Sequence, residues 1–281
     1  MKKSSLRSTL AKLDGGTVQL TLHVPWTKID LQKSNVIAEL AKNVNVPGFR
    51  QGKAPLDKAM KHLDPDKIIE NTINNLLPEA YTAALKEHSI VPAMYPKFEL
   101  VSAKEGEDWQ IRATTAELPK FEIKDYKETI KKEAKTKEKQ TKEEKEQEVI
   151  RILLEKFDLE PPTMLIEDEV QARLANLLER LEKLGLELEG YLKSINKTPD
   201  TLREDYKAQA RASIKLDLIL GRISRDEKIS VDDKEIQNFA HAADGHPNHK
   251  DHNHTITTEQ KVLFTTILKR RKVLDALVSL L

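Results

Sequence analysis

From Lys131 to Glu148 every residue is Lys, Glu, Gln, Thr or Ala, and neither Gly nor Pro occurs. A stretch with so little apolar surface cannot bury a core of its own, so it divides the chain into two parts that must each find a core elsewhere. Glu133 with Lys137, and Glu138 with Lys142, have the favourable four-residue order of a solvated helix, each pair worth about 0.2–0.5 kcal/mol. One helix from Lys127 to Phe157 would reach about 45 Å at the usual rise per residue. A flexible charged linker is the other reading of the same residues.

Ahead of this divide, Val18, Leu20, Leu22 and Val24 alternate with Gln19, Thr21 and His23. That is the period of a strand with one buried face, and it puts His23 on the solvated side rather than in a ligand set. Thr27 is placed to cap a helix whose apolar positions Val36, Ile37, Leu40, Ala41 and Val44 run up to Pro47. Pro55 opens a second helical region with the stripe Ile69, Ile73, Leu76, Leu77, Ala80, Ala84 and Leu85. Pro78 falls inside it, so a kink or a fresh helix start is expected there. Phe98 and Leu100 alternate with Lys97 and Glu99, and across a turn at Gly106 come Trp109, Ile111 and Ala113. Residues 17–118 therefore read as strand, two helices and a hairpin. This is an α+β unit with an antiparallel sheet.

Beyond Pro161-Pro162 the pattern is helical throughout. Leu165, Ile166, Val170, Leu174, Leu177, Leu178, Leu181 and Leu184 form one stripe, stopped by Gly185. Thr198 is placed to cap the next helix with Pro199 at its first position, and apolar residues recur from Leu202 to Ile223. Asp232 and Asp233 offer a further cap, and a last helix runs from Thr258 to Leu281. The chain is expected to comprise an α+β domain over residues 1–120, a charged connector over 121–148 and an extended all-α domain over 149–281. Amphipathic helices of this kind leave grooves or a partner surface.

Several function classes are excluded or disfavoured. With 47 Lys+Arg against 46 Asp+Glu there is no global field to steer the chain to nucleic acid, so any such contact must be local. The absence of cysteine excludes disulfides, thiol catalysis and cysteine-bound zinc. Met1–Asp14 lacks the apolar run of a signal peptide, and no stretch approaches the roughly 20 apolar residues of a membrane span, so a soluble cytoplasmic protein is expected. No nucleophile elbow, phosphate loop or His-Glu-x-x-His motif occurs, and no cofactor is expected. His241, His246, His249, His252 and His254 fall close together with Asp244 and Asp251. A transition-metal site is one reading of them, and a hydrophilic loop broken at Gly245 and Pro247 is the other; the spacing is not that of a four-ligand structural zinc.

The stretch richest in contact chemistry is Gly48-Phe49-Arg50-Gln51-Gly52-Lys53-Ala54-Pro55. Its glycines permit positive φ, and Pro55 presets the first turn of the helix that follows. An aromatic beside an arginine on a protruding loop is the composition of a recognition hot spot; a helix connection with Phe49 tucked inside is the alternative.

This stretch fits Gly-Phe-Arg-x-Gly-Lys-x-Pro, the ribosome-binding signature of the trigger factor family, at the place that family carries it. Leu76-Leu77-Pro78-Glu79-Ala80-Tyr81, the block from Gly185 to Tyr191 with Leu202-Arg203, and the helix from Leu216 to Ile223 also resemble that family, in its order. The resemblance implies a chaperone that docks near the nascent-chain exit of the large ribosomal subunit and holds unfolded polypeptides. Gly48, Phe49, Arg50, Gln51, Gly52, Lys53 and Pro55 would make the contacts with a rim protein and with rRNA; no membrane partner is implied, and a homodimer is expected away from the ribosome. Two departures matter. Family members commonly carry an FKBP-type prolyl isomerase domain, which needs on the order of 100 residues, where this chain has only its charged segment, so no isomerase activity is expected. Gln51 stands where many members have lysine, which removes a charge from the loop tip. An adaptor serving one dedicated partner is the competing function.

Overall fold

The computed structural model describes residues 6–135, 140–243 and 256–281. The chain divides into two units: Met1–Leu118 with Pro162–Leu165, and Pro119–Pro161 with Ile166–Leu281.

At the centre of the first unit is β2 (Thr17–Val24), whose residues alternate strictly between the core and a half-exposed face. It pairs antiparallel on one side with β1 (Arg7–Lys12) and on the other with β4 (Trp109–Ala116), and β3 (Lys97–Ser102) lies outside β4, giving the order β1-β2-β4-β3. The register sets Leu20 opposite Ala113, Leu22 opposite Ile111 and Val24 opposite Trp109, so these six side chains share one face. Two helices cover it: α1 (Trp26–Ala41) supplies Ile29, and α3 (Pro65–Glu87) supplies Leu76, Leu77, Ala80 and Ala84. A satellite cluster of Val36, Ile37 and Ile68 fastens α1 to α3.

Four local features depart from the sequence reading. The strand β1 is an addition, making the sheet four-stranded; as an edge strand it buries little, and its half-buried Leu10, with Leu6 just ahead of it, packs against the core. Helix α1 starts at Trp26 without a cap from Thr27, because the Trp26 amide donates to the Asp108 carboxylate at 2.9 Å, a partner brought from the turn before β4. The second helical region is two helices, the short α2 (Leu56–Met60) and α3, the latter capped by Asp64, which accepts from the Asp66 amide at 3.0 Å. Helix α3 also runs through Pro78 instead of restarting there. Pro78 sits on the exposed side with Asn74, so the carbonyl that loses its donor can be solvated.

The second unit is helical. Its main core joins α4 (Tyr126–Glu133), α5 (Lys142–Lys156), the carboxy-terminal half of α8 (Pro199–Asp226) and α10 (Thr258–Val278) through Ile130, Val149, Ile152, Leu153, Ile219, Ile223, Val273 and Leu277. The single 45 Å helix of the sequence reading is therefore not formed. Helix α4 ends at Ala134, whose backbone turns extended, and α5 begins afresh with a reciprocal capping box between Thr141 and Glu144. Lys156 pairs with Glu133 at 2.7 Å, and the Tyr126 hydroxyl donates to Glu227, which also pairs with Lys127 at 2.7 Å. The ends of the charged segment thus belong to a packed body.

A second cluster in this unit fastens α6 (Thr163–Lys183) to the first half of α8 through Ile166, Val170, Leu174, Tyr206, Ala210 and Ile214. Thr198 and Pro199 start α8 as read from the sequence. The short α7 (Leu188–Ser194) is an addition to that reading, whereas the expected cap at Asp232 starts α9 (Asp233–Ala243) by accepting from the Glu235 amide at 2.8 Å. Phe239 meets Phe264 edge-on at 5.4 Å between ring centroids, joining α9 to α10. No helix among the described residues is long and apolar enough to cross a membrane.

Candidate functional site

The segment between α1 and α2 is a pair of tight turns set end to end. In the first, the Phe49 amide donates to the Val46 carbonyl at 3.1 Å, with Pro47 and Gly48 in the middle and Gly48 at φ +81°. In the second, the Lys53 amide donates to the Arg50 carbonyl at 2.9 Å, with Gln51 and Gly52 in the middle and Gly52 at φ +73°. Each glycine occupies the third place of its turn, where a positive φ is cheap for glycine and costly for other residues. Phe49 closes the first turn and Arg50 opens the second, so the two contact residues stand at the junction. Pro55 follows in extended conformation as the cap residue of α2, one place earlier than the helical position read for it.

Three contacts hold this shape. The buried Val46 anchors the front of the loop, and the buried Ala59 anchors α2 behind it. The Gln51 side-chain amide donates to the Asn43 carbonyl at 3.1 Å, tying the second turn back to the end of α1. A Cβ on Gly52 would lie 3.0 Å from the Lys42 carbonyl oxygen, so the backbone approach itself requires glycine there. Phe49 is 38% exposed and joins no core cluster. The reading in which it tucks inside is not what the loop adopts. One ring face is covered by Lys58, whose Nζ lies 4.9 Å from the centroid, a cation–π contact worth about 0.5–1 kcal/mol at an exposed position.

The loop and the helix ends beside it are rich in cations. Lys12, Lys28 and Lys33 are each paired with a glutamate at 2.6–3.0 Å. Lys42, Arg50, Lys53, Lys58 and Lys61 are exposed and form no ion pair among the described residues. Residues 42–61 thus carry five cations against one carboxylate, Asp57, in a chain of almost no net charge, and such a local excess is how a near-neutral protein meets an anionic surface.

The helical unit carries a different kind of surface. Leu178, Leu184 and Leu186 are exposed where α6 runs out into its terminal turn, and Val262 and Leu263 are exposed on the first turns of α10. Their periodicity in the sequence is that of core leucines, and only the packing of Ile166, Val170 and Leu174 against α8 separates the two sets. Of the histidine-rich segment, His241 lies in the last turn of α9, while His246, His249, His252 and His254 lie outside the described residues. Among the described residues, no group of three or more His, Asp or Glu is arranged to hold a metal ion.

An α+β unit presenting a shaped, cation-rich aromatic loop and a helical unit that exposes leucine and valine make this a two-unit, α+β and all-α protein. Two family models match it: the bacterial trigger factor protein over residues 6–152 and the trigger factor carboxy-terminus over residues 122–279. The chain belongs to the trigger factor family. The two matches overlap over residues 122–152, so no segment of this chain lies between them. Among relatives, the trigger factor of Citrifermentans bemidjiense is 28% identical over 62% of this chain and 33% of its own length. That of Streptococcus gordonii is 34% identical over 39% of this chain and 26% of its own. The chain thus spans a minor part of the length of these relatives. A solved structure from work on promiscuous substrate recognition in folding and assembly by the trigger factor chaperone matches with a TM-score of 0.58 at 14% identity, covering 96% of this chain and 99% of that one.

Proposed function

We propose that this protein is a ribosome-associated holding chaperone of the cytoplasm, docking through the loop of residues 48–55 and retaining unfolded polypeptide on its helical unit. The observation that carries the proposal is the double turn that presents a half-exposed Phe49, with Lys58 over its ring, within a segment of five cations that form no ion pair among the described residues. Phe49 would enter an apolar notch on a protein at the exit-tunnel rim, and Arg50 would form a forked pair with an acidic side chain beside it. Lys53, a point charge on a flexible stem, suits rRNA phosphate. With so few charges the docking is salt-sensitive and reversible, as repeated cycling on and off the ribosome requires.

The exposed Leu178, Leu184, Leu186, Val262 and Leu263 are the client-facing residues of this proposal. Apolar side chains spaced among charged ones hold many sequences weakly and select none. Prolyl isomerase activity is not part of the proposed function: the overlap of the two family matches leaves no inserted domain to enclose an aromatic-lined pocket.

The test is co-sedimentation of the wild type and a Phe49→Ala, Arg50→Ala variant with bacterial ribosomes across a salt series. Equal pelleting of the two proteins would sink the docking role. Suppression of aggregation of several unrelated unfolded proteins tests the holding role. Protection of none, with one tight partner recovered instead, would make the protein an adaptor.

A further inference from the structure

The α+β unit leaves its core open along one side. Strand β3 sets Phe98 opposite Ala113 and Leu100 opposite Ile111, and both partners are fully buried. Phe98 and Leu100 themselves are each 42% exposed although they share that face. Tyr81 of α3 meets Phe98 edge-on at 5.6 Å but does not close the gap. Val91, Tyr95 and Val101 are exposed alongside, Tyr95 almost completely, so a short run of chain concentrates apolar surface at the edge of the sheet. On the outer side the backbones of Phe98 and Leu100 make no hydrogen bond to any described residue, the strand's pairing being with β4 alone. Their amides and carbonyls there are left to pair with an added strand.

We infer that the outer edge of β3 accepts an extended segment of an unfolded polypeptide as an added strand, with apolar side chains at alternate positions lying beside Phe98 and Leu100. Main-chain pairing supplies affinity without regard to sequence, and the half-open apolar face rewards alternation. The other face of β3 carries both signs of charge: Lys97, and Glu99 paired with Arg112 at 2.8 Å, so neither an acidic nor a basic segment is strongly excluded. A second copy of this chain is the poorer occupant. The register shift between Leu100 and Ser102 and the proline at 96 restrict regular pairing to Lys97–Leu100, too short to bury the roughly 1,000 Å² of a stable interface. Weak, transient capture needs far less. The inference rests on the holding-chaperone reading but moves part of the client contact to the unit that carries the docking loop.

The experiment titrates the full chain into a fluorescein-labelled peptide of about ten residues that alternates valine with threonine, the length of an ordinary strand with its flanks. The same titration is run with a peptide N-methylated at alternate residues on one edge, which deletes its donors and leaves its side chains. Fluorescence anisotropy should show the methylated peptide binding at least about tenfold more weakly, since several main-chain hydrogen bonds are lost. Leu100→Lys should weaken the unmodified peptide about fivefold or more by placing a charge against its apolar residues. Leu31→Lys, at a largely exposed position on α1 away from β3, should leave this affinity unchanged. Equal binding of the two peptides overturns the inference using wild-type protein alone, whatever the fate of the variant. So does a concentration-dependent dimer that Leu100→Lys abolishes, which would assign the edge to a second copy. Aggregation suppression that persists while Leu100→Lys binds the peptide normally sinks the β3 site and spares the chaperone reading; failure of the wild type to hold any client sinks that reading itself.

Discussion

Ile130→Ala is the substitution that most directly separates a folded α4 from a solvated connector. Ile130 is completely buried in the main helical core, although its neighbours Lys131 and Lys132 are exposed and the residues after them are almost all charged. The change removes roughly three methylene equivalents at about 0.8 kcal/mol each, or about 2.4 kcal/mol. The unrelaxed cavity adds to this, giving about 3 kcal/mol, inside the range of about 2–5 kcal/mol for such truncations. With a urea slope of about 2 kcal/mol per molar, the midpoint should fall by about 1.5 M. Trp26 and Trp109 both lie in the α+β unit, so tryptophan fluorescence follows that unit, while ellipticity at 222 nm is weighted towards the helical one. The shift is expected in the ellipticity transition. Lys131→Ala on the exposed side of the same helix is the control and should change stability by less than about 0.5 kcal/mol. If Ile130→Ala moves the transition no further than Lys131→Ala does, α4 is not part of the core and the reasoning fails.

Gly52→Ala should strain the second turn twice, through φ +73° and through the 3.0 Å approach to the Lys42 carbonyl; ribosome pelleting should drop severalfold with the helical ellipticity unchanged, and undiminished pelleting would show that loop shape is not limiting. The Arg151 guanidinium and then the Lys135 amide hold the Glu148 carboxyl at about 2, below its ordinary 4.5, so its stabilisation is complete above pH 4.5 and is lost as pH falls towards 2. Acid titration of Glu148→Gln should accordingly show a shallower loss of stability across that window than the wild type, and superimposable curves would remove Glu148 from the account. Thr198→Ala deletes one side of the capping box that starts α8 and should cost about 1 kcal/mol in urea melts followed at 222 nm, whereas Thr198→Ser should cost little.

Features set by local spacing were legible from the sequence. The alternation from Val18 to Val24 gave the central strand, Thr198-Pro199 gave the start of α8, and Pro47-Gly48 and Gly52 marked where the loop must turn. What escaped depends on partners distant in sequence. The Trp26 amide is satisfied by Asp108, and nothing near Trp26 announces it. Tyr126 and Ile130 lie four apart on one helical face, but in so charged a stretch two apolar residues look like a solvated helix until α5, α8 and α10 close over them. In the loop, the residue types named Phe49, Arg50 and Lys53 as contacts. The cover of Phe49 by Lys58 and the bond from Gln51 to Asn43 arise only once α2 and the end of α1 are in place.

That last bond changes the meaning of Gln51. As a sequence departure it reads as a missing charge where family members commonly have lysine; in the structure it is a brace on the second turn. Gln51→Lys therefore adds and removes something at once, and the two effects respond differently to salt. A new cation facing phosphate adds about one unit to the slope of log affinity against log salt. Loss of the amide-to-carbonyl bond costs about 0.5–1.5 kcal/mol of loop order, and salt does not screen that loss. The variant should bind ribosomes more tightly than the wild type at low ionic strength and more weakly at high, with the two lines crossing. Parallel lines would show that residue 51 does not face phosphate. A variant tighter at every salt concentration would show that the Asn43 bond contributes nothing to docking, and Gln51 would return to being only an absent charge.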